Sequence, residues 1–438
     1  MTLASSMRDA DSAAAPRKVL IICQYFVPYA ASVGVVARVV HLAQYLRTRG
    51  CEVSVLTSDG ADFGDLGFGK LLAGLDVTYL SDPLKRSVQN SLRGIGRRPA
   101  ASAKLRLSWL RVLKRVLNAL VIPDLGVLMV RKYYRAAATS IQSKGIDTVL
   151  VSSPSHSMQL VGGLLKNRFG ERIDLVADYR DSWNTSAIFL PKGALAARIS
   201  RKLERFCLAR ADIITCASQP MLAKLEHAYP DLDLGKRGLA MLNGYAGELC
   251  PATEGNASGE LRIGYFGMAD DDAMGYRNIE PLLRAVAGVV ASGQRVRLCF
   301  YGSLRLSRID IKAFPFVEAN AAVAHGDVFN IMQGMNYLVI LHTDPSSSDE
   351  VITGKFFDYI KARRPILCFT PENTEAARLV KKWQIGEWVD AQASDPALGL
   401  LSALKRLDYP ALFDDELLSS FSRRGQYQKL YERLAGVR

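Results

Sequence analysis

Val19-Leu20-Ile21-Ile22-Cys23-Gln24-Tyr25-Phe26 is a short, largely apolar run, followed by Val27-Pro28-Tyr29-Ala30-Ala31-Ser32-Val33-Gly34 and then by a helical pattern from Val35 to Arg49 that stops at Gly50. Continuous apolar character over so few residues suits a strand covered on both faces. Glu52 to Ser58 returns as a second strand. Strand, small-residue turn, helix and strand make a βαβ unit, whose turn opens at the carboxyl edge of a parallel sheet, where ligands bind. The fold class is therefore α/β. Gly34 is the one glycine in that turn, either a plain tight turn or a close approach to a ligand.

The alternation continues outward from this unit. Thr148 to Ser153 and Ile173 to Ala177 read as strands, followed by a helix over 194–210, a strand from Asp212 to Ala217 and a helix over 220–228. Residues 246–260 are rich in Gly, Ala, Ser, Thr and Glu and contain Pro251, the composition of a linker. A second alternating series follows: strand Leu261 to Phe266 ending at Gly267, helix 278–292, strand Arg295 to Tyr301, a helix near Phe329 to Met335, strand Tyr337 to Leu341, a helix from about Thr353, and strand Ile366 to Phe369. A chain of 438 residues exceeds one ordinary core. The reading is a tail over 1–16, a first doubly wound domain over 17–245, the linker, a second over 261–410, and a last helix within 411–438.

Composition is globular, with 49% hydrophobic and 23% charged residues. The net charge of +13 is uneven: residues 1–245 hold 34 Lys and Arg against 19 Asp and Glu, the remainder 22 against 24. No helix-turn-helix, RNA-binding or zinc-finger pattern accompanies the basic half, which argues against nucleic acid as partner. Between Asp82 and Asp124 there is no acid but ten Lys and Arg, among them Arg106, Arg111, Lys114 and Arg115. Trp109, Leu113, Val116, Leu117 and Leu120 recur there at helical spacing, so the stretch is either a core-packing helix with a solvated basic face or an attachment to an anionic membrane surface. Cys23, Cys51, Cys207, Cys216, Cys250, Cys299 and Cys368 are widely spaced and read as reduced core residues. With no CxxC or Cys/His cluster, no structural metal is expected. No apolar run reaches the roughly 18 to 20 residues that span a bilayer, so a cytoplasmic or peripheral protein is expected.

Chemistry concentrates in Asp349-Glu350-Val351-Ile352-Thr353-Gly354-Lys355-Phe356-Phe357-Asp358-Tyr359-Ile360. Thr353 suits a helix N-cap, with Gly354 and Lys355 in a first turn whose N–H groups lack helical partners. Lys355 opposes the helix dipole there, and a bound phosphate reverses that sign. Glu350 and Asp358 bracket the turn, either as two ordinary carboxylates or as two contacts to one ligand. Upstream, Ser152-Ser153-Pro154-Ser155-His156-Ser157 and Asp178-Tyr179-Arg180-Asp181-Ser182-Trp183 each sit just past a strand. His156 is either a helix-start histidine or a ligand contact, and the second segment either a polar site or an internal salt bridge. Asp270-Asp271-Asp272, in the loop from Gly267 to Asn278 with Arg277, reads as a solvated acidic loop or as carboxylates for a divalent ion.

Gly354-Lys355-Phe356-Phe357-Asp358-Tyr359 with Arg364-Pro365-Ile366-Leu367, two acids seven residues apart, and Asp-x-Arg-Asp-x-Trp at 178–183 resemble the retaining glycosyltransferases of family four, which have the GT-B fold: two Rossmann-like domains facing a central cleft, with a C-terminal helix crossing back. Ala211 to Ser218 and Leu242-Asn243-Gly244-Tyr245 resemble the last two strands of that family's first domain. The resemblance implies transfer of a sugar from a nucleotide sugar to a glycan or polyprenyl-diphosphate-linked acceptor, with retention, in cell-surface polysaccharide biosynthesis at the inner membrane face, without a bound metal or other cofactor. It implies that Glu350 and His156 contact the donor sugar, that Asp358 meets the ribose, and that Lys355, Gly354, Gly267 and Arg277 surround the diphosphate. Gly34, Asp178, Arg180, Asp181 and Trp183 fall on the acceptor side. Two positions depart from the pattern: Asp358 replaces the usual Glu, and Met268-Ala269 stand where an Arg is usual. A nucleotide-sugar epimerase of the same fold, or an idle nucleotide- or glycan-binding protein, are the alternatives.

Overall fold

In the computed structural model the described residues are 16–93, 121–186, 193–253, 259–273, 275–323, 326–344, 349–350, 352–404 and 413–436. The basic stretch with Arg106, Trp109, Arg111, Lys114 and Arg115, and the tail up to residue 15, lie outside them. Seven strands form the first sheet: β1 (Lys18–Cys23), β2 (Glu52–Ser58), β3 (Asp76–Leu80), β4 (Thr148–Ser152), β5 (Asp174–Tyr179), β6 (Ile213–Cys216) and β7 (Gly238–Ala240). Six form the second: β8 (Leu261–Asp270), β9 (Val296–Arg305), β10 (Val317–Asn320), β11 (Tyr337–Leu341), β12 (Ile366–Thr370) and β13 (Gly386–Asp390). Every pairing is parallel, in the orders β3-β2-β1-β4-β5-β6-β7 and β10-β9-β8-β11-β12-β13.

The reason lies in the strand sequences. TVLVS, YLVIL and ILCFT are buried along their whole length, and such strands need a helical layer on each face. Each sheet accordingly has an apolar cluster on each side, with Val149, Val151 and Leu175 on one face of the first sheet and Ile21, Val55 and Leu150 on the other. Strand order reverses direction between β1 and β4, and again between β8 and β11. At such switch points the connections leave on opposite faces and open a crevice past the carboxyl ends.

Three differences from the sequence reading have physical causes. The edge strands β3, β10 and β13 were not expected, because an edge carries little of the apolar signal, and β3 and β10 bury no residue fully. β8 and β9 run beyond Phe266 and Tyr301 because Gly267 and Gly302 pair there at φ +129° and +147°. A Cβ on Gly302 would lie 2.1 Å from the Gly267 carbonyl oxygen, so glycine is required. The last helix is two, Asp415–Phe421 and Arg423–Ala435, broken at Ser422, whose extended backbone places its hydroxyl to accept from Gly425 N at 2.9 Å.

The chain crosses between the two sheets twice, and the two passages lie side by side. Leu242 to Tyr245, expected as the closing strand of the first sheet, belongs instead to the first passage, and Gly238–Ala240 takes the strand position. Tyr245 N donates to Phe421 O at 3.0 Å and Arg423 N to Tyr245 O at 2.9 Å. Beyond them the helix Arg423–Ala435 returns to the first domain, burying Tyr427, Leu430 and Leu434 against the helix Val33–Thr48 that follows β1.

Candidate active site

Past the carboxyl end of β4 the chain folds around Asp124. Its carboxylate accepts from the Ser155 hydroxyl, from Ser157 N at 3.2 Å and from Ser157 Oγ at 2.8 Å. Between these serines His156 is 5% exposed and stacks on Trp183, ring centroids 5.5 Å apart and planes 12° from parallel. Burial lowers the imidazole pKa, opposed by the charges of Asp124 and Asp181. Burial therefore favours the neutral imidazole. Trp183 is itself fixed by its indole N–H, which donates to Ser200 Oγ at 2.9 Å. The Asp-x-Arg-Asp-x-Trp segment thus supplies the surface against which His156 is held, with Asp181 exposed at the rim.

Asp178 takes a different part from the one expected at the acceptor side. It is fully buried and bonded to Arg38, with Nη2 to Oδ1 at 2.7 Å. Ser152 Oγ at 2.7 Å and Thr215 Oγ1 at 2.6 Å donate to the same carboxylate. Burial alone would raise its pKa, but the charge and hydrogen bonds of Arg38 and the two hydroxyls hold it below the usual carboxylate value. Asp178 ties β4, β5 and β6 to the helix after β1 and leaves nothing for a substrate. Arg180 is also a fastener, donating to the carbonyls of Gly34, at 2.6 Å, and Val35. Gly34 is exposed in the first turn of the helix Val33–Thr48, where a Cβ would meet only Ser32 Oγ at 3.7 Å.

Across from this surface the second domain presents a cation with no carboxylate beside it among the described residues. Lys355 stands in the first turn of the helix Gly354–Lys361, its Nζ 4.0 Å from the centroid of the Tyr265 ring. It overhangs Gly267 so closely that a Cβ there would lie 2.7 Å from Nζ. Burial and the positive charge of Arg277 push its pKa down to about 7. Arg277 lies on the Tyr276 ring, 4.8 Å to the centroid. Thr353 has the extended backbone of an N-cap, yet among the described residues its hydroxyl makes no cap bond and finds no partner, so the opening turn of the helix has no side-chain cap on its N–H groups. Gly267, Arg277, Gly354 and Lys355 therefore meet at one place, with an excess of positive charge and uncapped donors. Asp358 is half-buried one turn further along the same helix.

Glu350, 7% exposed, is met from the other domain. Lys224, on the helix Gln219–Ala228, lies 3.1 Å from Glu350 Oε2 and 2.7 Å from Asp349 Oδ2. Neither Lys224 nor Asp124 was expected from sequence. Both are single residues without a motif, and only the folded chain brings them to the cleft. In the acidic loop Asp271 is a structural acceptor: its carboxylate accepts from Ser307 N at 2.7 Å, Ile309 N at 3.1 Å and Arg308 N, which holds its pKa down at about 2. Among the described residues no group of three His, Cys, Asp or Glu could hold a metal ion, and no helix is long and apolar enough to cross a membrane.

Comparison with known proteins agrees with this architecture. Residues 33–231 match the family model described as Glycosyl transferase 4-like domain. No curated protein matches the chain. Among solved structures, the lipopolysaccharide outer core galactosyltransferase WaaB is 11% identical with a TM-score of 0.57, covering 96% of this chain and 100% of that one. A glycosyltransferase from Rickettsia africae is 12% identical with a TM-score of 0.57, over 95% of this chain and 97% of that one. An alpha,alpha-trehalose-phosphate synthase (UDP-forming) from Burkholderia vietnamiensis is 10% identical with a TM-score of 0.58, over 96% and 100%. Residues 33–231 thus carry a glycosyl transferase 4-like domain, and the chain as a whole has the two-sheet GT-B fold shared with these structures.

Proposed function

We propose that the protein transfers a sugar from a nucleotide-sugar donor held by the second domain to a glycan acceptor held by the first. The observation that carries this is Lys355, partly buried on Tyr265 with no carboxylate beside it among the described residues, at the opening turn of a helix and within the field of Arg277. A diphosphate supplies the charge that this arrangement lacks. As the glycosidic bond to the diphosphate lengthens, negative charge builds on the leaving oxygens, and Lys355, Arg277 and the N–H groups at Gly354 are in place to stabilise it. The sugar becomes oxocarbenium-like. Glu350 then orients the donor sugar, the neutral His156 offers it a hydrogen bond, and Asp358 meets the ribose. Transfer proceeds with retention, without a covalent nucleophile and without a resident metal.

The acceptor in this reading is lipid-linked, the reaction belongs to cell-surface polysaccharide assembly, and the basic stretch with Arg106, Trp109, Arg111, Lys114 and Arg115 attaches the enzyme to the anionic inner face of the cytoplasmic membrane. Lys85, also in that basic run, is instead buried and donates to the carbonyls of Gln24 and Ser58. WaaB, named for the lipopolysaccharide outer core, supports a glycan acceptor of this class by its shared fold. The test is thermal stabilisation by UDP, GDP, ADP and TDP and their sugars, with Mg²⁺ or with EDTA. A ligand at 100 times its dissociation constant adds about 2.7 kcal/mol of stability. One nucleotide class is expected to respond, equally in EDTA, and to lose its effect in Lys355→Ala. No response to any nucleotide would overturn the donor site.

A further inference from the structure

The paired crossovers form the floor of a groove of about 410 Å³, walled on one side by the C-terminal half of the helix Val33–Thr48. Its charge is one-sided. Arg49, Arg423 and Arg424 line it together with His41 and Tyr245, and no Asp or Glu lines it among the described residues. Arg423 is held in place by the carbonyls of Asn243, at 3.1 Å, and Gly244, at 3.2 Å, both accepting from its Nε. These neutral partners orient the guanidinium without cancelling its charge. The local field is visible at His41, whose pKa is pushed down to about 4 by burial and by Arg423. Arg49 lies fifteen residues beyond Gly34, about 22 Å at 1.5 Å per residue, so the Arg49 end of the groove is remote from Gly34.

Arg49 donates to Tyr45 Oη at 3.1 Å and to Gln428 Oε1, with Glu432 close enough to act on its charge, whereas Arg423 and Arg424 add positive charge to a wall that holds no carboxylate among the described residues. Guanidinium groups suit phosphate, which they grip in bidentate fashion. The volume exceeds that of a lone phosphate and falls in the range of small-molecule sites. We propose that this groove is a second anion site, for a phosphate carried on a small metabolite or on a lipid headgroup, seated where the two domains are joined. Its walls belong to the first domain and to both crossovers, so a ligand bridging Arg49 and Arg424 ties the first domain to the joint. The proposal stands independently of the donor site.

The experiment uses the full chain with Lys355→Ala and Arg277→Ala, which silences the donor diphosphate contacts. Calorimetry with inorganic pyrophosphate and with ribose 5-phosphate is expected to show saturable one-to-one binding. Arg424→Glu, at an exposed position, and Arg49→Gln are each expected to weaken it at least tenfold with the melting temperature in the absence of ligand unchanged. A parallel arm measures cosedimentation with phosphatidylglycerol vesicles. Vesicle binding lost in Arg424→Glu, with no binding of either soluble phosphate, supports the site and assigns it to a headgroup. Absence of binding in both arms, or binding indifferent to Arg424→Glu and Arg49→Gln, overturns the proposal.

Discussion

Lys355 concentrates the electrostatics of the cleft in one titration. With its pKa pushed down to about 7 by burial and Arg277, the ammonium is half deprotonated near neutrality in the ligand-free protein. A bound diphosphate favours the charged form and returns the pKa toward the ordinary lysine range. Donor affinity is therefore expected to be flat below about pH 7 and to fall above it, by up to tenfold per pH unit until the pKa of the bound state is reached. An intact nucleotide sugar is the right probe, because its diphosphate does not titrate in this window. Lys355→Met should bind weakly at every pH, without the slope, whereas a slope that survives would assign the proton elsewhere. Asp178 gives a second prediction of opposite kind. Asp178→Ala leaves Arg38 charged and buried, at about 3 to 5 kcal/mol of stability, measurable in urea. The residue scale is also where sequence misled most. A carboxylate just past a strand looks the same whether it faces a ligand or an arginine, and Arg38, which decides the matter, is 140 residues away inside an apolar helix.

Elements were more legible than residues, for a reason visible in their burial. β1, β4, β11 and β12 are apolar along nearly their whole length because both faces are covered, and such runs declare themselves. The edge strands β3 and β10, half in solvent, do not. The helix Gly354–Lys361 was legible through its Thr-Gly-Lys start, whereas the helix Gln219–Ala228 gave no sign that its Lys224 reaches Glu350 across the cleft. That pair carries a prediction at this scale. Lys224 is one-third exposed and its ion pairs lie partly in solvent, so Lys224→Ala is expected to cost less than about 1 kcal/mol of stability. Its effect on turnover should be larger. Without Lys224 the carboxylate of Glu350 loses the cation that positions it, and kcat/KM for sugar transfer is expected to drop by about tenfold, near 1.4 kcal/mol at the transition state. Lys224→Arg, which keeps the charge, should recover most of that loss. An equal loss in both variants would assign Lys224 to packing rather than to the placement of Glu350.

At the scale of the whole molecule the chain order and the spatial order disagree, and that disagreement has consequences for stability. The last helix follows the second domain in sequence but completes the core of the first, where Tyr427, Leu430 and Leu434 pack with Val39, Leu42 and Leu46. Tyr427 also donates its hydroxyl proton to Arg38 O at 3.1 Å, joining this helix to the residue that neutralises Asp178. The first domain is therefore unfinished until the last residues of the second have been made and have returned. Leu430→Ala tests this separation. It is fully buried, and truncating a buried leucine costs about 2 to 5 kcal/mol, the larger figure where the neighbours cannot close the cavity. The loss is expected in the unfolding of the first domain, followed by the fluorescence of its buried Trp183, stacked on His156. Lys355, Arg277 and Gly267 belong to the second domain, so the dissociation constant of the nucleotide, measured by calorimetry below the first unfolding transition, should stay within about twofold. If nucleotide affinity fell in step with Trp183 unfolding, the two domains would have to unfold as a single unit, and the donor site could not be treated as a property of the second domain alone.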